Sequence, residues 1–174
     1  SGGTAPTLEL ETGSTNRKAT YTTGTGTNTL VFTYTVEAGD TASDLDYLNN
    51  SALSLNDGTI KDAAGNNATL TLAEPGASGS LGANNTLIID TTAPDKPTIS
   101  TSDTTTNDTT PSVSGEAEEG SIVKLFNGST ELGSTTADES SGAFTITSSA
   151  LTAGSSDNLT VTATDAAGNT STAS

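Results

Sequence analysis

Leu159-Thr160-Val161-Thr162-Ala163-Thr164 runs straight into Asp165-Ala166-Ala167-Gly168-Asn169. Apolar and hydroxyl side chains alternate with a period of two, the repeat of a strand that buries one face and wets the other. The pentapeptide behind it reads as a turn, because Gly and Asn accept positive backbone angles and Asp bonds its own backbone. A strand closed by such a turn belongs to an antiparallel sheet.

The same pattern recurs upstream. Strands are expected at 98–101, 111–115, 121–126, 131–136, 143–147, 159–164 and 170–173, the spacing of a β-sandwich. In the fifth, Phe144 and Ile146 face one way and Thr145 and Thr147 the other. The first half reads similarly but less regularly, with strands expected at 7–11, 19–22, 30–36, 52–55, 69–72 and 86–89, and a helical turn over 43–49 capped by Ser43. Asp62-Ala63-Ala64-Gly65-Asn66 duplicates the pentapeptide at Asp165, an internal echo of tandem related modules. Between the halves, Leu87-Ile88-Ile89 leads into Asp90-Thr91-Thr92-Ala93-Pro94-Asp95-Lys96-Pro97, where two prolines stop a sheet ladder. The expected organisation is a first domain over 1–90, a short proline-containing linker over 91–97 and a second domain over 98–174.

Composition narrows the chemistry. The 174 residues carry 21 acidic and 5 basic side chains, a formal charge of -16, with no histidine, cysteine, methionine or tryptophan. Without histidine or cysteine there is no common general base, no thiol nucleophile and no soft-metal ligand set. Lys61 and Lys124 have no activating neighbour, and with 3% aromatic residues sugar-stacking platforms are scarce, so the chain reads as a non-enzyme. Its charge repels nucleic acid and anionic membranes, so neither is an expected partner. A chain lacking any methionine reads as a piece of a longer polypeptide.

Strand parity places the charge. Antiparallel strands alternate direction, so the incoming end of the second domain and the loops after its second, fourth and sixth strands share one pole. That pole collects Asp90, Asp95, Glu116, Glu118, Glu119, Asp138, Glu139 and Asp165. Crowded carboxylates favour a shared cation, and calcium takes six to eight oxygen ligands with neither histidine nor cysteine. Asp90, Glu119 and Asp165 are the first-choice ligands, with Asp95 and Asp138 behind them. Counting back from the last strand of the first domain turns Asp62 toward the linker, while Asp40, Asp44 and Asp46 form a further acidic group. The Asp62 and Asp165 turns read either as plain Asx turns or as turns that also hold metal; Asp57-Gly58 reads as a turn.

At these residues the chain resembles a known family. Asp90-Thr91-Thr92-Ala93-Pro94, Asn107-Asp108-Thr109-Thr110-Pro111, Ser114-Gly115-Glu116-Ala117 and Thr162 to Asn169 resemble the bacterial immunoglobulin-like repeats of giant type I-secreted, repeats-in-toxin (RTX) surface adhesins. Leu30 to Val36, Ala38-Gly39-Asp40, Asp44 to Tyr47 and Gly58-Thr59-Ile60 resemble a related adhesin repeat. The resemblance implies an all-β chain of two tandem immunoglobulin-like β-sandwich domains, the first lacking its N-terminal strands through truncation, insertion or completion by another chain. It further implies an extracellular, calcium-stiffened spacer at the bacterial cell surface that supports adhesion or biofilm formation by projecting a distant ligand-binding region. Neighbouring repeats of the same polypeptide and a segment completing the first domain are the implied partners, and the fragment itself is an expected monomer. The rival reading is a binding module for carbohydrate, ice or a host surface, using a Thr-rich strand face such as Thr20 to Thr27.

Overall fold

The computed structural model describes residues 4–102, 106–152 and 158–174. The chain divides into two compact units, Ser1–Thr91 and Thr92–Ser174. Both are built of antiparallel strands, and no helix among the described residues is long and apolar enough to cross a membrane.

In the first unit, β1 (Thr7–Leu10), β2 (Arg17–Thr23), β3 (Val31–Thr33) and β5 (Leu53–Ser54) form one sheet in the order β3-β2-β1-β5. β4 (Thr41–Ala42) pairs with β6 (Ile89–Asp90) in a second, two-stranded sheet. Leu10, Ala19, Ala42, Leu45, Tyr47 and Ala52 are buried between these elements. This core is light in large aliphatics, so polar burial accompanies it: Thr12, Asp40 and Ser80 are all fully buried.

Two local expectations fail here. Residues 43–49 are not helical, because their backbone is spent on neighbouring strands: Leu45 N–H donates to Leu87 O at 2.8 Å, Leu48 N–H to Glu9 O at 2.9 Å, and Asp46 O accepts from Glu11 N–H at 3.0 Å. Residues 69–72 form no strand, although Leu72 N–H donates to Asn50 O at 2.9 Å. The one helical turn among the described residues, α1 (Leu81–Asn84), starts at Ser80, whose hydroxyl accepts from Ala83 N–H at 3.1 Å.

The second unit is a sandwich of two three-stranded sheets. β8 (Ser112–Glu116) lies between β7 (Thr98–Ile99) and β11 (Ala143–Thr147), and β9 (Ile122–Asn127) lies between β10 (Thr130–Thr136) and β12 (Leu159–Thr164). The period-two pattern is realised: Val113, Phe144 and Ile146 from one sheet meet Val123, Leu125, Leu132 and Val161 from the other in a single buried core. The expected seventh strand is an irregular seam in which Ser171 N–H donates to Ala163 O at 2.9 Å and Ser174 N–H to Val161 O at 3.0 Å. Gly115 permits the close approach of β7: a Cβ there would stand 1.9 Å from Thr98 O and 2.7 Å from the Phe144 ring.

Candidate functional site

Register fixes the pole of the second unit. Thr98 pairs with Glu116, so the incoming chain lies beside the end of β8. Ile122 pairs with both Thr136 and Thr164, which sets the start of β9 against the ends of β10 and β12. Ala117 N–H donates to Gly142 O and Ala137 N–H to Ser121 O, both at 2.9 Å, tying the loops together. The loops over 117–121, 137–142 and 165–169 therefore share one end of the sandwich with the incoming chain, and this end carries Asp95, Glu116, Glu118, Glu119, Asp138, Glu139 and Asp165.

Each carboxylate at this pole has its own local chemistry. Asp165 accepts Asn169 N–H on Oδ1 and the Asn169 side-chain amide on Oδ2, both at 2.8 Å. The side-chain amide, then the backbone N–H groups of the turn, hold its carboxyl below the ordinary value. Asp138 Oδ1 accepts the hydroxyls of Ser140 and Ser141 at 2.7 and 2.9 Å and their N–H groups at 3.1 and 2.9 Å. Those bonds, the hydroxyls foremost, hold Asp138 at about 2. Glu119 is exposed in the turn before β9. Asp95, Glu116 and Glu118 line an open cavity of about 440 Å³ together with Lys96.

The first unit disposes of its acids differently. Asp40 is fully buried, and its carboxylate accepts Arg17 Nε at 2.7 Å, Tyr34 OH at 2.6 Å and Glu37 N–H at 2.8 Å. Burial opposes its ionisation, but the Tyr34, Arg17 and Glu37 hydrogen bonds and the Arg17 charge prevail and hold it at about 2. Burial, then the bond to Asp40, pushes Tyr34 up to about 12. Asp46 accepts Tyr47 N–H on Oδ1 at 2.8 Å and Gly76 N–H on Oδ2 at 3.0 Å. With Glu11 and Asp44, Asp46 lines a cavity of about 270 Å³ whose wall is Gly82; a Cβ there would stand 3.1 and 3.3 Å from Asp46 and Asp44 oxygens. Asp62 repeats the Asp165 turn, accepting Asn66 N–H at 2.9 Å and the Asn66 side-chain amide at 2.8 Å. Asp90 sits in β6 opposite Thr41.

Among the described residues no group of three acidic side chains stands close enough to hold a metal ion. Asp62, Asp138 and Asp165 spend their oxygens on the backbone and side chains of their own turns, and Asp40 on Arg17, Tyr34 and the Glu37 N–H. Sequence reading placed Asp40 beside Asp44 and Asp46 as one acidic group and missed its partners, Arg17 and Tyr34. The available signal was Arg17 itself, one of only 5 basic residues.

Residues 83–174 match the bacterial Ig-like domain family. The chain belongs to that family. The Ig-like match takes in β6, which pairs within the first unit, as well as the whole second unit. Bacterial Ig-like domains are usually non-catalytic and are commonly found in surface or secreted proteins. No curated protein matches the chain.

Proposed function

We propose that this chain is an extracellular spacer segment of a bacterial cell-surface adhesin, of the repeats-in-toxin type that it resembles, holding a more distant ligand-binding region away from the cell. The observation that carries this reading is the path of the chain through the Ig-like unit. The chain enters beside Glu116 at the acidic pole, and the last segment leaves that pole after Asp165, running back along β12 from Ala163 toward Val161. A module whose last segment runs away from the pole at which the chain enters is suited to being strung in series. Its backbone is spent on ladders and its acidic turn residues on clasps, which suits a passive spacer role.

Calcium belongs to this proposal. The pole offers carboxylate and carbonyl oxygens, the donors a hard cation takes. Since no three acidic side chains converge among the described residues, an ion would draw on two of them at most, Glu119 and Asp165 being preferred and Asp95 and Asp138 next, with carbonyls and water filling its shell. Asp90, Asp62, Asp44 and Asp46 remain proposed ligands on the sequence reading alone; Asp40 does not, because Arg17, Tyr34 and the Glu37 N–H take both oxygens of its buried carboxylate. Calorimetric titration of the chain with calcium, paired with melting in chelator and in millimolar calcium, tests the metal. A ligand at a hundredfold excess over its Kd stabilises the folded state by about 2.7 kcal/mol. A melting temperature that does not respond removes calcium and leaves a plain acidic spacer.

A further inference from the structure

Three large apolar side chains of the first unit lie exposed along one sheet edge. Leu30-Val31-Phe32-Thr33-Tyr34-Thr35-Val36 runs through β3 without a charge, a proline or a glycine, and Leu30, Val31 and Val36 are 37, 42 and 45% exposed. β3 stands at the end of its sheet, and among the described residues it pairs with β2 alone. Natural sheets discourage a further strand by keeping edge strands short, charged or covered. Other edges of this chain follow that rule: β5, β6 and β7 are two residues long, the chain after β11 bonds β10 through Ser149 N–H and Leu132 O at 2.7 Å, and Ser171 and Ser174 line β12. β3 does not follow it.

Register shows which backbone groups of this edge are open. Tyr21 N–H donates to Pro6 O at 2.9 Å, so Tyr21 turns its backbone groups toward β1 and Thr20 turns its own toward β3. Thr20 lies opposite Thr33, which therefore bonds β2, and so does Val31 two residues before it. Direction alternates along a strand, so Phe32 and Tyr34, with Leu30 and Val36 on either side, aim N–H and C=O away from the sheet. Among the described residues no backbone group meets them there. Their side chains share the core-side face, where Phe32 and Tyr34 pack against the buried cluster and Leu30 and Val36 extend past it.

We propose that this edge takes the same edge of a second copy of the chain, the two β3 segments pairing antiparallel so that one sheet runs on into the other. The segment is self-complementary about Thr33. A two-fold axis perpendicular to the sheet, between the two copies of Thr33, sets Leu30 opposite the partner's Val36 and Phe32 opposite the partner's Tyr34. These are the residues whose backbone groups are open, so the register that matches the side chains is also one that hydrogen-bond parity allows. On the other face Val31 meets the partner's Thr35, and Thr33 meets the partner's Thr33, pairs of β-branched side chains that suit a sheet. The segment brings no charge into contact although the chain carries -16, and Glu37 just beyond it falls opposite the partner's Thr29. One strand about 24 Å long gives a contact far smaller than the roughly 800 Å² per partner of a stable interface. The association is accordingly weak: the dilute chain is a monomer, and pairing appears where chains are crowded side by side.

Sedimentation equilibrium of the whole 174-residue chain tests the association, and a single thiol tests the register. Between about 10 μM and 2 mM in physiological salt the weight-average mass rises above the 17.2 kDa monomer, and added salt raises it further by screening two acidic copies from each other. Thr33→Lys, which sets two like charges together on the axis from an exposed position, lowers the association constant at least about tenfold. Thermal melts certify that it is folded, and Val31→Lys, on the same face, replaces it if it is not. The chain has no cysteine, so Thr33→Cys and Thr35→Cys each carry one thiol. Residues facing each other in a non-hydrogen-bonded pair stand about 4.5 Å apart between Cα atoms, within disulfide range, whereas the two copies of position 35 are offset by about 13 Å along the strands. In a thiol–disulfide buffer Thr33→Cys therefore yields at least about tenfold more crosslinked dimer than Thr35→Cys. A chain that stays monomeric at about 2 mM overturns the proposal and leaves the edge to a strand of another kind; equal crosslinking at the two positions overturns the antiparallel register.

Discussion

Asn169 closes on Asp165 with both its backbone N–H and its side-chain amide at 2.8 Å, and Asn66 closes on Asp62 in the other unit at 2.9 and 2.8 Å. One pentapeptide thus builds the same clasp twice. The glycine between them takes φ 90 in one turn and 94 in the other, a backbone angle that costs glycine nothing. In both turns the carboxylate acts first as the acceptor that shapes a hairpin end.

The clasp predicts matched losses. Asp165→Ala lowers the melting temperature of the second unit, and Asp62→Ala that of the first, each by about 3 to 6 °C in chelator-containing buffer. Asn169→Ala gives a smaller drop, since its backbone N–H survives. Differential scanning calorimetry checks this; no change for Asp165→Ala in chelator would mean that the carboxylate matters only with metal bound.

Acid titration separates the two units by named groups. Asp40 and Asp138 are each lowered from 3.8 to about 2. A depressed folded value means the unfolded chain takes up the proton first, so their stabilisation is complete above 3.8 and is lost as pH falls toward about 2. Melting temperature should hold steady from neutrality to about pH 5 and fall steeply below 4. Asp40→Asn flattens that fall in the first unit and Asp138→Asn in the second. Tyr34 supplies the alkaline counterpart: raised from 10.0 to about 12, it contributes stability that is complete below 10.0 and lost as pH approaches 12.

The second unit was legible because its strands announce themselves. Val161 and Ala163 are fully buried, as alternation with Thr160, Thr162 and Thr164 requires, and strand parity alone puts Asp138 and Asp165 at one pole. The first unit was less so, because short strands carry too few residues for a period. β4 is only Thr41–Ala42, and Ser43, which reads as a helix cap, leads into chain whose backbone is claimed by Glu9 and Leu87. The true cap, Ser80, precedes Leu81-Gly82-Ala83-Asn84, a run whose glycine and asparagine argue against a helix. The Arg17–Asp40 pair joins residues 23 apart, and no local pattern announces a partner at that range.

Gly115 carries a sharper expectation. Its missing Cβ would fall 1.9 Å from a backbone oxygen, and backbone cannot swing aside as a side chain end does. Gly115→Ala must therefore part β7 from β8 or shift Phe144 within the core, a cost of about 1 to 3 kcal/mol or more. In chemical denaturation the second unit should lose that stability while the first keeps its midpoint. An unperturbed Gly115→Ala would show that β7 is not docked on β8 in solution.

Ser148 tests the opposite sign. It is 3% exposed, and its hydroxyl is the buried side-chain oxygen without a hydrogen-bond partner among the described residues. Its backbone is well held, with N–H donating to Pro111 O at 3.0 Å, so the local chain conformation does not depend on the hydroxyl. Burying an unsatisfied hydroxyl costs about 1 to 3 kcal/mol, while alanine at the same place loses little packing volume. Ser148→Ala should raise the stability of the second unit by about 1 kcal/mol, moving its melting temperature up by about 4 to 8 °C. The Asp165→Ala loss should persist unchanged in the double variant, because the clasp and Ser148 share no partner and independent sites add. A destabilised Ser148→Ala would show that the hydroxyl is satisfied in solution by a water held inside the sandwich, and the gain would then be sought with Ser148→Val, whose larger side chain would displace that water.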